Sequence, residues 1–190
     1  MKNRQVLVLD FGSEYTPFFG KHFDDINIKY EIVPHDISIA EIVVKNPGGL
    51  ILSGSPDYVH KPLARRPASG IFELDLPILG VCYGMQLMAD ALGGAVERSQ
   101  REDGLVSLTL SDRTCPLFDN MPKKFTVHMD HDDVVTQLPQ GFIDLGNTDL
   151  TPIAVMSHTS RPLFGLQFHL ESPRPDNNYG RQILQNFMNL

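Results

Sequence analysis

The first half of the chain alternates short apolar runs with segments of helical period: VLVLD (Val6 to Asp10), KYEIVP (Lys29 to Pro34), GLILSG (Gly49 to Gly54) and PILGV (Pro77 to Val81). A strand covered by helices on both faces has no polar side, so such runs predict parallel strands joined by crossover helices. The expected fold class is α/β, an open, doubly wound, mostly parallel sheet flanked by helices. After Gly94 the runs become short and alternating, LVSLTL, FTVHMDH, PIAVMSH and LFGLQFH, with turn residues between them. These predict antiparallel strands added to the same sheet or beside it. The closing YGRQILQNFMNL puts Ile183, Leu184, Phe187 and Leu190 on one helical face. No repeat, low-complexity segment or linker interrupts the pattern, and residues 1–190 read as a single domain.

Composition narrows the class. At 42% hydrophobic and 21% charged, the 190 residues can bury a continuous core without disulfide or metal staples. The net charge of −7 has no compensating basic tract, the longest basic pairs being Arg65-Arg66 and Lys123-Lys124, which argues against a nucleic-acid partner. The opening MKNRQVLVLDF enters a strand-like run directly, without the apolar region of a signal peptide, and no stretch approaches membrane-spanning length. A cytoplasmic protein with no membrane partner is expected. Two cysteines could form at most one bridge and in a reducing compartment are thiols, so Cys82 and Cys115 are weighed separately.

Cys82 sits in LGVCYGMQLMADALGG, between an apolar run and a helix-like run, and in open α/β sheets ligands gather beyond the carboxyl ends of the strands. Gly80-Val81-Cys82-Tyr83-Gly84 has the form G-x-nucleophile-x-G, in which glycines relieve crowding around a strained strand-to-helix turn. A thiol there also feels the positive end of the helix dipole, which favours thiolate. The main-chain N–H of Tyr83 would point toward the oxyanion of a tetrahedral intermediate. Cys115, in DRTCPLF, has no such context and reads as packing.

A cysteine nucleophile needs a base, and the base an orienting group. QFHLES supplies both: LFGLQF reads as a buried strand ending at His169, and two-residue periodicity puts Glu171 on the same side if the extended conformation continues. His22 and His35 fall in helix-like or turn segments, and His60 and His158 in loop-like or strand-end surroundings, and all four read as structural.

With these residues in place, the chain resembles the class I, triad-type glutamine amidotransferases, closest to the amidotransferase unit of GMP synthetase. DFGSEYT resembles that unit's DFGSQYT, ILSGSP its ILSGGP, GVCYGMQLMADALGG its elbow and helix, FTVHMDHDD its FTVWMSHGD, and GLQFHLE its GVQFHPE. The resemblance implies a flavodoxin-like architecture and hydrolysis of the glutamine side-chain amide through a thioester on Cys82. His169 would be acid and base, and Glu171 its orienter. The main-chain N–H groups of Ser55 and Tyr83 would form the oxyanion hole. Gly54, Gln86, Asp130, His131 and Asp132 are the substrate-binding candidates. Ammonia would pass to a separate ATP-pyrophosphatase subunit that aminates XMP, since this chain lacks the nucleotide loop; ATP and magnesium are expected only there, with no cofactor in this chain.

Several positions depart from the pattern: Ser55 for a glycine, Leu170 for a proline, Glu14 for a glutamine, and SPRPDNNYG in a region the family uses to meet its synthetase domain. Asp130 and Asp132 replace Ser and Gly, and two extra carboxylates favour an ammonium and repel a carboxylate. His128, Asp130, His131 and Asp132 are competent metal ligands, but strand alternation sends His131 to the opposite face from the others, so no metal site is expected. Two alternatives stay open: a stand-alone γ-glutamyl hydrolase or peptidase, or ammonia supplier of another pathway, and a non-catalytic binding or regulatory relative.

Overall fold

The computed structural model describes residues 5–111, 114–174 and 179–190. In chain order the first half forms β1 (Val6–Asp10), α1 (Phe18–Asp25), β2 (Tyr30–Pro34), α2 (Ile39–Lys45), β3 (Gly49–Leu52), β4 (Ile78–Val81) and α3 (Tyr83–Ala91). The second half forms β5 (Ala95–Leu110), β6 (Lys124–Gln137), β7 (Phe142–Asn147), β8 (Val155–His158), β9 (Leu163–Leu166) and α4 (Gly180–Met188). The strands make one nine-stranded sheet in the order β2-β1-β3-β4-β9-β8-β7-β5-β6. The first five in that order are mutually parallel and the rest pair antiparallel.

Strand alternation divides the interior into two layers. Leu7, Leu9, Leu50 and Leu52 point to the side covered by Ile42 of α2 and by Leu87 and Met88 of α3. Val6, Val8, Ile51 and Leu79 point to the other, against Phe19 and Phe23 of α1 and Ile183, Leu184 and Phe187 of α4. Fully burying one such side chain contributes about 1.5–3 kcal/mol of transfer free energy, so a one-residue slip of any central strand would forfeit several at once. Helix α2 starts on a reciprocal cap: Ser38 Oγ accepts the Glu41 N–H, and the Glu41 carboxylate accepts the Ser38 N–H.

The structure departs from the sequence expectation in four places. LFGLQFH is not an antiparallel addition: β9 lies parallel to β4 in the middle of the sheet, buried at every position, and ends at Leu166, before His169. The connection from β3 to β4 contains no α-helix; Pro56, Pro62 and Pro67 fall within it, and a single 3-10 turn, Ile71–Glu73, is all it forms. The polar stretch before LVSLTL belongs to β5, because pairing with β6 holds it extended where apolar alternation does not. Strand β7 lay outside the apolar runs identified.

Candidate active site

At the carboxyl end of β4 the chain turns into α3 through Cys82, whose φ of 51° and ψ of −107° are unusual for a residue with a Cβ. Such angles cost on the order of 1–3 kcal/mol and persist where surrounding contacts fix them. Here the Cys82 N–H donates to the Leu166 carbonyl at 2.7 Å, and its own carbonyl accepts the N–H groups of Met85 and Gln86 at 3.0 and 3.1 Å. The flanking glycines are required by closeness, and the strained angles fall on the cysteine itself. A Cβ on Gly80 would lie 2.5 Å from the Gly84 carbonyl oxygen, and one on Gly84 would lie 2.2 Å from that of Leu52. The Tyr83 N–H is at the first position of α3, where a helix supplies no internal acceptor.

His169 lies three residues beyond β9, in a turn that Ser172 closes by donating its N–H to the His169 carbonyl at 3.3 Å. Its Nδ1 is 2.9 Å from Glu171 Oε1, and neither side chain is more than 3% exposed. The pairing expected from strand parity is thus present, made by a turn. The ring is also hydrogen-bonded to Cys82. Burial alone would push the imidazolium toward losing its proton, but the Glu171 carboxylate and the Cys82 sulfur outweigh it and hold His169 well above the ordinary histidine range. Tyr15 packs on the ring with centroids 4.5 Å apart. Gly54 is buried beneath it: a Cβ there would come within 2.9 Å of His169 Cε1. It provides clearance for the imidazole, directly before Ser55, which borders the cavity.

Cys82 and His169 open into a cavity of about 480 Å³ bordered also by Tyr15, Ser55, Tyr83, Gln86 and the Asp130–Asp133 stretch of β6. Ser55 has a φ outside the left-handed region, so serine occupies this position without the penalty a glycine-only conformation would impose. Gln86 is buried, and its Nε2 donates to the Asp133 carbonyl at 2.8 Å, tying α3 to β6. Asp130 approaches the nucleophile through its main chain, the Cys82 Sγ lying 3.8 Å from its carbonyl oxygen. The Asp130 carboxylate accepts the Tyr15 hydroxyl at 3.1 Å and Arg101 Nη2 at 2.7 Å. Asp132 meets Arg98 at 3.1 Å and Arg101 at 3.7 Å. The two aspartates that looked uncompensated in the sequence are therefore ion-paired.

His131 borders the cavity as well, although alternation placed it on the opposite face. Its Nε2 is 3.4 Å from Thr151 Oγ1 and 3.5 Å from the Glu102 carboxylate, which also accepts the hydroxyls of Thr148 and Thr151. Burial lowers its proton affinity. His128 is wholly buried, and among the described residues no hydrogen-bond partner reaches either ring nitrogen. Cys115 is a buried free thiol in the core, as expected of packing.

Sequence reasoning missed five residues of the site. Gln167 Nε2 lies 3.6 Å from Cys82 Sγ, and its place two residues before His169 was a readable signal. Tyr15 and Asp133 lie in stretches already singled out. Arg98 and Arg101 had no signal, since an irregularity in β5 brings them to the mouth. His22, read as structural, donates its Nε2–H to the Glu171 carbonyl, 3.2 Å away. Part of SPRPDNNYG lies outside the described residues.

The family model for glutamine amidotransferase class-I matches residues 7–190. GMP synthase [glutamine-hydrolyzing] of Lactobacillus acidophilus is 41% identical over 184 residues, which cover 96% of this chain and 35% of that protein. The enzyme of the same name from Acetivibrio thermocellus is 41% identical over 189 residues, covering 99% and 36%. The chain thus spans about a third of the length of these relatives. A crystal structure of a "putative gmp synthase subunit a protein" from Thermoplasma acidophilum superposes with a TM-score of 0.88 at 27% identity, covering 100% of this chain and 94% of that one. Among the described residues no helix is long and apolar enough to cross a membrane.

Proposed function

Because the chain belongs to the class I glutamine amidotransferase family, we propose that it hydrolyses the side-chain amide of glutamine and supplies the ammonia to a separate ATP-pyrophosphatase that aminates XMP. The observation that carries this reading is that Cys82 and His169, hydrogen-bonded to each other, border the cavity while Glu171 holds the far side of the His169 ring.

The chemistry follows from the geometry. The Cys82 sulfur attacks the amide carbon while His169, charged and held by Glu171, carries the proton. Negative charge develops on the amide oxygen, where the N–H of Tyr83 and that of Ser55 would receive it. Collapse expels the nitrogen, which takes the His169 proton and leaves as ammonia; the acyl group remains as a thioester. Water then gives a proton to His169 as it attacks the thioester, and expulsion of the sulfur completes the balance: glutamine and water become glutamate and ammonia. Gln86 holds the wall of β6 in place through Asp133 and borders the space the substrate would fill. ATP and magnesium would belong to the partner, and a cytoplasmic location fits this division of work.

Ammonia release from glutamine, measured alone and with a candidate XMP-aminating partner plus XMP and ATP, tests the proposal. Cys82-dependent release that rises with the loaded partner supports it. Release indifferent to the partner would favour a stand-alone hydrolase.

A further inference from the structure

The cavity mouth poses a charge problem for an amino-acid substrate. Its described residues include five carboxylates, three of them Asp130, Asp132 and Asp133, and two guanidinium groups, Arg98 and Arg101. Such a mouth welcomes an α-ammonium group, but an α-carboxylate must find a cation. The histidines do not offer one: His169 is engaged by Glu171 and Cys82, and burial disfavours charge on His131.

Arg101 is aimed at the mouth by the backbone. Arg98 pairs with Asp133 and Glu102 with His131, so three residues of β5 stand opposite the single residue Asp132 of β6. A bulge of this kind redirects side chains that a regular ladder would alternate. Arg101 reaches Asp130 at 2.7 Å, Asp103 at 3.4 Å and Asp132 at 3.7 Å, while its side chain stays half exposed. Asp130 in turn has its carbonyl at the Cys82 sulfur. A glutamine whose amide carbon rests on that sulfur carries its α-carboxylate carbon roughly 5 Å further along the extended chain, within reach of the Arg101–Asp130 pair.

Building on the glutaminase reading above, we infer that Arg101 receives the substrate α-carboxylate while Asp130 receives the α-ammonium, so that the pair selects γ-glutamyl amides with both α-groups free. The exposed ion pair is the right kind of partner for exchange: its guanidinium is planar, always charged and able to grip a carboxylate with two N–H groups. The arginines opposite the aspartates supply the cation that a free α-carboxylate needs.

The test is the rate at which Cys82 is alkylated, read by intact mass, with three reagents: 6-diazo-5-oxo-L-norleucine, its α-carboxamide, and iodoacetamide, which has no α-groups. On the native protein the free amino-acid reagent should outpace its α-carboxamide. Arg101→Gln should slow the free acid by about 10- to 100-fold relative to its α-carboxamide and to iodoacetamide, the worth of a charge-assisted hydrogen bond. Arg101→Lys should restore part of the loss. Equal rates for free acid and α-carboxamide on the native protein, or an Arg101→Gln protein that labels like the native one, would overturn the inference. Labelling of Cys82 by iodoacetamide with no preference for the glutamine-shaped reagent would overturn the glutaminase reading with it.

Discussion

His169 Nδ1 and Glu171 Oε1 lie 2.9 Å apart inside the protein, brought together by the turn that follows β9. A buried carboxylate with one imidazole partner fixes both the ring's orientation and its charge, and the chemistry proposed for Cys82 depends on both. Replacing Glu171 with Gln should lower glutamine hydrolysis by roughly 10²- to 10⁴-fold, the usual worth of positioned acid–base catalysis. Steady-state kinetics should place the loss in kcat.

The charge on His169 has its own signature. Because its proton affinity is raised on folding, it contributes stability that is fully present below the unfolded value of about 6.5 and is lost as pH rises through the higher folded value. Its imidazole resonances should therefore remain those of the protonated ring above neutrality, and Glu171→Gln should move the titration downward.

His22, His128 and His131 carry the opposite sign. Burial lowers the proton affinity of each, so the unfolded chain binds protons below pH about 6.5 that the folded chain resists, and stability falls as pH drops from there toward the folded values. His128→Phe keeps the ring's volume and removes one of these sites. Its melting temperature should fall less than the native protein's between about pH 7.5 and 5.5; an equal fall would contradict the assignment.

Gly84→Ala should disable the fold locally, since the new Cβ would meet the Leu52 carbonyl at 2.2 Å and a backbone carbonyl cannot rotate away. A cost of about 1–3 kcal/mol or more is expected in denaturant unfolding, from overpacking. At Gly93, φ is 89° but no atom of the described residues lies within 4 Å of a new Cβ, so Gly93→Ala should cost about 1 kcal/mol for conformation alone.

Glu102 joins β5 to the loop after β7 by accepting the hydroxyls of Thr148 and Thr151 while buried beside His131. Glu102→Ala would leave these groups unpaired, with an expected loss of about 1–3 kcal/mol, and Glu102→Gln should lose less.

Much of this architecture was legible in the chain. The apolar runs at Val6, Gly49 and Pro77 are strands because both faces are covered, and the amphipathic face of Ile183, Leu184 and Phe187 is the one that α4 buries. The glycine bracket of Cys82 was legible from its spacing, although the crowding behind it is only partly local: Gly80 meets Gly84 within the turn, whereas Gly84 meets Leu52 of β3. The parallel placement of β9 was not, since an apolar run has no direction, and its partners β4 and β8 arrive from different parts of the chain. Arg98 and Arg101 were hidden for the same reason. Their meeting with Asp130 and Asp132 depends on a bulge between two long strands, and no spacing along the sequence records it.

The most direct measurement is the mass of the protein quenched in acid during turnover with glutamine. A γ-glutamyl adduct on Cys82 is expected, more abundant when the water step is slowed, and absent from Cys82→Ala. Glutamate formed at the native rate by Cys82→Ala, or turnover by the native protein with no adduct and no dependence on His169, would contradict the account.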